Sequence, residues 1–321
     1  MNIEKKIGLI TRNAKEILNE KDMKKVLKKK NLIVYCGYEP SGEIHIGHLV
    51  TMMKVLDFQR AGINPIILLA DWHAWLNKKG DWDSLEKQVK IWEKGIKAVG
   101  LTKARFIKGT DFQRKTDYID DIMTMALNTT VNRGLRSMQA IARDINNAKI
   151  SQIIYPLMQI EDIKVLNLDF VVAGLEQRKI HVLGIELFQK INMKKKPIFI
   201  HTGLITSLRG PGDKMSSSSP EGMISIRDSK LEIAKKIKKA HCITGKTNEN
   251  PILEITRYLL FPKFEKLVIS RSKEHGGNKT YMNYETLEKD FASKKLHPLD
   301  LKNAVAESLE KLLAPIRKAW K

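Results

Sequence analysis

Short apolar runs alternate with helical patterns through the first third of the chain. The runs at 32–36, 64–71 and 103–109 are separated by helical stretches at 46–61 and 84–99, and a glycine follows each stretch. The middle run, NPIILLAD, is apolar without interruption, as in a strand that is covered on both faces. Because parallel strands need a crossover between them, this order predicts a doubly wound parallel sheet in an α/β domain.

The segments around this alternation are predicted to be mostly helical. The first 30 residues show two amphipathic helical patterns, and Ile17 and Leu18 are assigned to the first of these helices. Residues 112–150 lack strand patterning, so we expect a helical insertion there. The sheet is expected to resume with two further apolar runs, 169–174 and 196–203.

A loop rich in Gly and Ser, 203–222, follows the last apolar run, and only helices and loops are predicted after Ile226. From Ser229 onward the chain has 20 Lys and Arg against 11 Asp and Glu, a net charge of +9. We therefore place a boundary near residue 225. It divides an α/β catalytic domain, 1–225, from a smaller, basic, all-helical C-terminal domain, 226–321.

The whole chain of 321 residues is strongly basic, with 57 Lys and Arg, 36 Asp and Glu, and a net charge of +21. An excess of this size favours a polyanionic partner, most often a nucleic acid. The alternative is a general lysine bias of the source proteome, which runs such as VLKKKN and AKKIKKAH also suggest. Charge by itself leaves both interpretations open.

Two cysteines, Cys36 and Cys242, lie far apart and do not form a CxxC pair. They indicate neither a disulfide framework nor a zinc site, and they fit a reducing compartment. No apolar run approaches the ~18 residues that a membrane-spanning helix needs. We therefore expect a cytoplasmic protein that has no membrane segment.

A Gly-rich turn after the first strand carries the sequence YCGYEPSGEIHIGH, residues 35–48. His45 and His48 are three residues apart, so they share one face of the first turn of the following helix. Imidazole N–H groups at a helix N-terminus suit the phosphates of ATP, and Gly47 leaves room for the nucleotide base. The alternatives are an ordinary polar helix start, or a metal pair for which no third ligand stands out.

A second motif, KMSSS at 214–218, lies in the Gly- and Ser-rich loop. A lone lysine in such a loop is normally solvated. Together with an upstream HxGH, however, it suggests a loop that carries Lys214 to the phosphates as charge develops in the transition state. Binding that strengthens only in the transition state raises the reaction rate.

HIGH at 45–48 followed by KMSSS at 214–218 resembles the signature pair of class I aminoacyl-tRNA synthetases. The resemblance implies a Rossmann-type catalytic domain, ATP with Mg²⁺, no dedicated protein metal site, and His45, His48 and Lys214 as catalytic residues. The ATP-binding residues that it implies are Gly37, Pro40, Ser41, Gly42, His45, Gly47, His48, Lys214, Met215, Ser216, Ser217 and Ser218.

Three further segments, YCGYEPSG, YPLMQIEDI and GLEQRKIH, resemble the archaeal and eukaryotic branch of the tyrosyl-tRNA synthetases. The resemblance implies that Tyr35 and Asp162 hold the phenol hydroxyl of tyrosine. It further implies a group around the α-amino nitrogen, consisting of Tyr155, Gln159 and Gln177, with Glu39 nearby.

The spacing of the residues in the second segment has a physical meaning of its own. Tyr155, Gln159 and Asp162 fall at i, i+4 and i+7, which is one face of a helix. A polar stripe in an apolar segment is costly unless it faces water or a ligand. A solvated helix face is the alternative, but neighbours such as Ile154 and Leu157 favour a buried setting.

The C-terminal segment 294–318, which contains LHPLD, resembles the anticodon-binding segment of the same family. A carboxylate that accepts from a base edge reads sequence, whereas lysines at phosphates supply affinity. For Asp300 the alternative role is that of an N-cap of the last helix. The tRNA-binding residues implied by the resemblance are Lys239, Ala240, His241, Cys242, Phe261, His297, Pro298, Asp300, Arg143, Arg178 and Lys179.

These observations together predict an ATP-dependent tyrosyl-tRNA synthetase that acts on tyrosine and tRNA(Tyr). The helical insertion at about 112–150 resembles the dimer interface of that family, and the resemblance implies a homodimer. A tryptophanyl-tRNA synthetase is disfavoured by Tyr35 and Asp162, because indole offers only a donor. A catalytically idle paralogue is disfavoured by the intact motifs, and a small-molecule nucleotidyltransferase by the basic C-terminus.

Overall fold

The computed structural model describes residues 1–141 and 147–320. The chain forms two compact units, one made of Met1–Ser41 with Lys54–Thr202 and the other of Gly42–Met53 with Gly203–Lys321. The predicted boundary near residue 225, between a catalytic domain and a C-terminal domain, stays a prediction. The two compact units are defined by how the chain packs, and packing does not show which part is catalytic.

A six-stranded sheet forms the centre of the first unit. Its strands in chain order are β1 (Ala14–Leu18), β2 (Ile33–Tyr38), β3 (Asn64–Leu69), β4 (Arg105–Lys108), β5 (Phe170–Gly174) and β6 (Ile198–Thr202). Their order across the sheet is β1-β6-β5-β2-β3-β4, and only β1 runs antiparallel to its neighbour. The predicted doubly wound parallel sheet is therefore confirmed. Its β2 and β5 lie side by side at the point where the strand order reverses, which is where such sheets bind ligands.

The nine helices described before β6 follow from the patterns and caps of the sequence. They are α1 (Ile3–Thr11), α2 (Met23–Val26), α3 (Ile46–Arg60), α4 (Asp71–Leu76), α5 (Trp82–Val99), α6 (Thr116–Leu127), α7 (Val131–Met138), α8 (Ile150–Val165) and α9 (Arg178–Leu187). Helix α5 shows why such bounds can be predicted: the Asp81 side chain caps its first turn, and Gly100 ends it in the left-handed region at φ 118°. Helix α8 packs against α6, α7 and α9.

The assignment of Ile17 and Leu18 to a helix was wrong. Asn13 adopts a left-handed φ of 57°, which stops α1 before these residues. The chain then continues as β1, an edge strand in which Ile17 pairs with Ile200. Apolar residues seven apart fit a helix, but they cannot show that the backbone between them turns.

The second unit is mainly helical. Its elements beyond residue 203 are α10 (Lys230–Lys239), α11 (Pro251–Ile255), a π-helical turn at Thr256–Leu260, α12 (Phe261–Lys263), β7 (Leu267–Ile269), β8 (Lys279–Tyr281), α13 (Tyr284–Ala292) and α14 (Pro298–Trp320). The small antiparallel pair β7–β8 corrects the expectation that only helices and loops follow Ile226. Three-residue strands are too short to give an alternating pattern, so the sequence does not reveal them. None of the helices in the described part of the chain is long and apolar enough to cross a membrane.

A buried lysine ties α1 to α3. The side chain of Lys54 is 3% exposed and donates to the backbone carbonyls of Leu9, Ile10 and Arg12 at 3.0, 3.2 and 2.5 Å. It also forms an ion pair with Asp57 at 3.3 Å. The last turn of α1 has no basic residue of its own, so Lys54 supplies the cation that the carbonyls of a helix C-terminus attract.

We expect Lys54→Met to lower the free energy of unfolding by about 1–3 kcal/mol, because one buried and two partly buried carbonyls lose their donor. Thermal or urea unfolding followed by circular dichroism measures the change. Lys90→Met is the matched control, since Lys90 forms an exposed i, i+4 pair with Glu86 and should cost about 0.5 kcal/mol or less. Equal stability losses in the two variants would contradict the capping role of Lys54.

Candidate active site

The carboxyl group of Asp162 is the most deeply buried acidic group of the first unit, and α8 carries it. Its Oδ1 accepts hydrogen bonds from Gln113 Nε2 and from the Tyr118 hydroxyl, both at 2.8 Å. Its Oδ2 has no hydrogen-bond partner within residues 1–141 and 147–320. The nearest charged or imidazole group to this oxygen is His73 Nε2, at 3.8 Å. The arrangement therefore holds one carboxyl oxygen in place and leaves the other for a donor.

The protonation of this cluster follows from burial. Burial raises the pKa of Asp162 to about 7, although the hydrogen bonds from Gln113 and Tyr118 act to lower it. Burial lowers the pKa of His73 to about 3, so its imidazole is neutral. Because Gln113 Nε2 faces His73 Nδ1 at 3.3 Å, the proton of that imidazole lies on Nε2, the nitrogen nearer Asp162.

Tyr35 lies in β2 and is 4% exposed. Burial, followed by the charges of Asp162 and Cys36, raises the pKa of its phenol well above the ordinary value, so the hydroxyl stays protonated. The position of this ring depends on Gly37, since a Cβ at that residue would lie 2.5 Å from the Tyr35 hydroxyl. Gly37 was predicted to bind ATP, and the structure gives it this steric role beside Tyr35.

The carboxylate of Glu39 lies at the side chain of Tyr155. The Tyr155 hydroxyl donates to Glu39 Oε1 at 2.7 Å, and Asn77 Nδ2 lies 3.2 Å from both carboxylate oxygens. Lys79 Nζ lies 4.0 Å from Oε2. Tyr155, which was predicted to hold the substrate amino group, and Glu39, which was predicted to lie nearby, are thus directly hydrogen-bonded to each other.

Two amides complete the predicted tyrosine-binding set. Gln159 lies on the same helix as Tyr155 and Asp162, as the i, i+4, i+7 spacing predicted, and its Nε2 faces His181 Nε2 at 3.4 Å. Gln177 Oε1 is buried and has no hydrogen-bond partner among the described residues. An unpaired buried carbonyl is costly unless a donor arrives, so Gln177 is suited to a ligand that carries N–H groups.

The second unit brings HIGH and KMSSS together. The backbone N–H of Ile46 donates to the carbonyl of Ile224 at 2.9 Å, so the segment that starts α3 pairs with the segment that follows the KMSSS loop. A Cβ at Gly42, whose φ is +63°, would lie 2.9 Å from Ser217 Oγ. The loop base is fixed by Met215, whose N–H donates to the carbonyl of Ile205 at 2.8 Å.

The predicted ATP-binding residues are divided between the two units. Of these, Gly37, Pro40 and Ser41 belong to the first unit. The members that belong to the second unit are Gly42, His45, Gly47, His48, Lys214, Met215, Ser216, Ser217 and Ser218.

Both imidazoles of HIGH have a defined tautomer. His45 Nδ1 accepts from the Gly47 N–H at 3.1 Å, and His48 Nδ1 accepts from the His45 N–H at 3.2 Å. Each ring therefore carries its proton on Nε2. Burial and the charge of Lys214 lower the pKa of His45 to about 4, and burial with the His45 and Lys214 charges lowers that of His48 well below its ordinary value. Near pH 7 both imidazoles of the motif are therefore neutral and each carries one N–H donor.

Gly47 allows this packing. A Cβ at residue 47 would lie 2.8 Å from both Cε1 and Nδ1 of His45. The rings of His45 and His48 have centroids 3.8 Å apart. A larger residue at 47 would therefore force the His45 imidazole to shift from this position.

A family model described as tRNA synthetases class I (W and Y) matches residues 27–314 of the chain. The chain belongs to the class I tRNA synthetases. The tyrosine–tRNA ligase of Methanocaldococcus jannaschii is 47% identical over 311 residues, which are 97% of this chain and 98% of that protein. The predicted membership of the archaeal tyrosyl branch is confirmed.

Two solved structures of tyrosyl-tRNA synthetases superpose on 99% or more of the chain. The crystal structure of the Archaeoglobus fulgidus protein complexed with L-tyrosine gives a TM-score of 0.95 at 43% identity and covers 100% of both chains. The Pyrococcus horikoshii protein complexed with L-tyrosine gives 0.91 at 34% identity, covering 99% of this chain and 96% of that one. The synthetase fold, with its Rossmann-type catalytic part and helical C-terminal region, is therefore confirmed.

The residues predicted to contact the anticodon lie in the second unit of this class I synthetase. Lys302 Nζ donates to the carbonyl of Lys238 at 3.0 Å, which brings the end of α10, and with it Lys239–Cys242, beside the start of α14. His297 caps α14, because its Nδ1 accepts from the Leu299 N–H at 3.2 Å. The alternative of Asp300 as the N-cap was therefore wrong.

Asp300 and Pro298 lie in the first turn of α14, with Pro298 buried. Phe261 packs its ring against Tyr284, with the centroids 6.5 Å apart, and Ala240 is buried. The contact roles of this group stay predictions.

The remaining residues predicted to bind tRNA are placed as follows. Arg178 and Lys179 are exposed at the start of α9, where Arg178 pairs with Glu16 at 2.7 Å and Lys179 with Gln139 at 2.7 Å. Arg143 lies outside the described residues.

Several residues that contact the predicted tyrosine-binding side chains were not identified from the sequence. Gln113, Tyr118 and His73 surround Asp162, and Asn77 holds Glu39. His73 stands in the segment DWHAWL, where a single polar residue between apolar ones is a weak sign of a buried partner. Gln113 follows a short turn and lies 49 residues from Asp162, so no local pattern points to it.

We expect the imidazoles of His45 and His48 to stay neutral, with the proton on Nε2, between pH 8 and pH 6. Nitrogen-edited NMR of labelled imidazoles observes both the tautomer and the titration. Lys214→Met should raise the pKa of His45, because the lysine charge lowers it, whereas Lys266→Met at an exposed site should leave it unchanged. A titration midpoint near 6.5 for either ring in the parent protein would contradict this description.

Proposed function

We propose that this chain is a tyrosine–tRNA ligase that joins L-tyrosine to ATP as tyrosyl-adenylate and then transfers the tyrosyl group to tRNA(Tyr). The observation that carries the proposal is the buried Oδ2 of Asp162, which has no hydrogen-bond partner in the described part of the chain. A phenol hydroxyl can donate to this oxygen and at the same time accept from Tyr35 or from the Nε2–H of His73. An indole can only donate, so tyrosine suits the cluster better than tryptophan.

The amino end of tyrosine would meet the amide carbonyls of Gln159 and Gln177. An ammonium group only donates, and Gln177 Oε1 is a buried acceptor without a partner among the described residues. The carboxylate of Glu39, held by Tyr155 and Asn77, adds a negative charge that favours an ammonium over a neutral group. The six predicted tyrosine-binding side chains thus form two sets. Tyr35 and Asp162 would bind the phenol hydroxyl, and the other four would surround the α-ammonium.

This division gives selection against phenylalanine. Asp162 Oδ2 is already buried, and phenylalanine would leave it without a donor, whereas the hydroxyl of tyrosine would supply the missing hydrogen bond. Tyrosine-specific synthetases are the standard case of such selection and reject phenylalanine by about 10⁴–10⁵. Hydrogen bonds to a hydroxyl therefore supply the specificity without any second, hydrolytic site.

The phosphates of ATP would be bound by the second unit. The Nε2–H donors of His45 and His48 are neutral, so they stabilise charge on phosphate oxygens without a proton transfer. Lys214 adds a positive charge on an exposed loop residue. Ser217 stands where the commoner KMSKS motif has a second lysine, so its hydroxyl offers a weaker, uncharged contact.

Magnesium would accompany the nucleotide. Mg²⁺ prefers oxygen ligands, and it usually binds through phosphates and water with few protein groups. The motif side chains are imidazole, ammonium and hydroxyl groups, and the described residues contain no cluster of three or more His, Cys, Asp or Glu placed to hold a metal. These side chains fit an ion that the ATP phosphates bring with them.

The two chemical steps need no protein nucleophile. In the first, a carboxylate oxygen of tyrosine attacks the α-phosphorus of ATP, and pyrophosphate leaves. In the second, a ribose hydroxyl at the 3′ end of the tRNA attacks the carbonyl carbon of the adenylate, and AMP leaves. Catalysis then consists of positioning and charge stabilisation by the groups described above.

Three wider features belong to the same proposal. The basic segment after Ser229, which includes Asp300, would bind the anticodon region, with 226–321 as the anticodon-binding domain and 1–225 as the catalytic domain. The protein would act in the cytoplasm. It would form a homodimer through the helices of 112–150, and this part of the fold and the start of α8 expose four large apolar side chains, Met123, Leu127, Val131 and Ile150.

We expect pyrophosphate exchange, run with each of the twenty amino acids, to respond to tyrosine alone. Asp162→Ala and Tyr35→Phe should each lower the preference for tyrosine over phenylalanine by about 10-fold or more, because these groups meet only the hydroxyl. Glu93→Gln, at an exposed ion pair with Lys97, serves as the matched control. Exchange stimulated by another amino acid, or equal losses toward tyrosine and phenylalanine, would refute the assignment.

We expect Lys214→Ala to lower kcat of adenylate formation by about 10²–10³, with the tyrosine Kd nearly unchanged. The lysine would act on phosphate charge in the transition state, so its loss should not affect a binary complex with tyrosine. Single-turnover kinetics and equilibrium titration separate the two quantities. A large loss of tyrosine affinity at an unchanged chemical rate would show that Lys214 has a structural role only.

A further inference from the structure

Two buried histidines form a hydrogen-bonded chain behind Gln159 in the first unit. Arg178 Nε bonds both oxygens of Glu16, at 2.7 and 2.8 Å. Glu16 Oε2 lies 2.9 Å from His201 Nδ1, His201 Nε2 lies 2.8 Å from His181 Nδ1, and His181 Nε2 lies 3.4 Å from Gln159 Nε2. This chain of hydrogen bonds thus runs from the exposed guanidinium of Arg178 to the amide of Gln159 in the proposed tyrosine site.

The two rings are enclosed by protein. Both histidine side chains are 0% exposed, and their planes are stacked at 11° with centroids 5.1 Å apart. Burial, together with the His201 charge, lowers the pKa of His181 well below its ordinary value, and burial lowers that of His201. Each ring is therefore neutral near pH 7 and has one donor nitrogen and one acceptor nitrogen.

Glu16 sets the direction of every bond in this chain. Burial acts to raise the pKa of Glu16, but the hydrogen bonds from Arg178 and His201 lower it overall, so the carboxylate is ionised and can only accept. His201 must then carry its proton on Nδ1, which makes its Nε2 an acceptor. His181 in turn donates from Nδ1 and accepts at Nε2.

The last bond determines the orientation of an amide. Because His181 Nε2 accepts, the group of Gln159 that faces it must be the NH₂ end, and the contact of Nε2 with Nε2 agrees with this. The carbonyl end, Oε1, then points away from His181. An amide turned by 180° would place its NH₂ end where the substrate ammonium is expected and would repel it.

We propose that Glu16, His201 and His181 are positioning residues that orient the amide of Gln159 so that its Oε1 accepts from the α-ammonium of tyrosine. This inference rests on the proposed function of Gln159. The proposal gives a specific role to the carboxylate of Glu16, which the bound tyrosine would not contact. It also explains why two histidines occupy a fully buried position where apolar residues would be less costly.

The inference predicts a loss that depends on the ammonium group. His201→Phe keeps a flat ring but interrupts the chain, and Glu16→Gln replaces an obligate acceptor with an amide that can face either way. Both should raise the tyrosine Kd and KM by about 10–100-fold, the effect of one hydrogen bond to a charged group, with kcat changed little. Neither should weaken binding of 3-(4-hydroxyphenyl)propanoate, which keeps the phenol and carboxylate but has no ammonium.

The experiment compares both ligands by calorimetry in the parent, the two variants and the control Glu93→Gln. Circular dichroism checks folding; if His201→Phe is unfolded, Glu16→Gln gives the result, because its side chain is 27% exposed. Nitrogen-edited NMR of the parent should also show the protons of His181 and His201 on Nδ1.

The outcomes separate the inference from the proposed function. A parent that neither binds tyrosine nor catalyses tyrosine-dependent exchange would refute the proposed function. A parent that does both, with variants that bind tyrosine normally or lose both ligands equally, would refute the positioning role alone. A proton on Nε2 of His181 would also refute it, whatever the variants do.

Discussion

The buried carboxyl group of Asp162 is the constraint on which the rest of the proposed tyrosine-binding cluster depends. A carboxyl group without water is stable only where neighbours supply its hydrogen bonds, and Gln113 and Tyr118 supply them to one oxygen. The other oxygen, Oδ2, lacks a partner among the described residues, so it is a buried acceptor that a hydrogen-bond donor of a ligand could satisfy. The packing of helix α8 against α6 and α9 fixes the position of this carboxyl group.

In two separate parts of the molecule, the direction of the hydrogen bonds determines which imidazole nitrogen donates and which accepts. At HIGH, backbone N–H groups donate to both Nδ1 atoms, so each ring carries its proton on Nε2. Behind Gln159, an ionised Glu16 orders two imidazoles so that an amide carbonyl is left for an ammonium. In both cases burial keeps the rings neutral, so each nitrogen has a fixed role.

The sequence predicted the parts of this protein that depend on local pattern. The alternation of apolar runs predicted five strands of the large sheet, and the i, i+4, i+7 spacing placed Tyr155, Gln159 and Asp162 on one helix. Prediction from the sequence failed at Asn13 before β1, where the backbone changes direction without any sign in the hydrophobic pattern. It also failed for β7 and β8, which are only three residues long. Partners such as Gln113 and His201 were missed because their contacts join residues far apart in the chain.

The most direct test of the account is whether tyrosine binding releases a proton from Asp162. With its pKa raised to about 7, this group is partly protonated in the unliganded protein at neutral pH, and a donated phenol hydroxyl stabilises its ionised form. Calorimetric titrations at pH 7 should therefore be more exothermic in Tris than in phosphate, and this difference should disappear in Asp162→Asn. An identical binding enthalpy in both buffers for the parent protein would contradict the account.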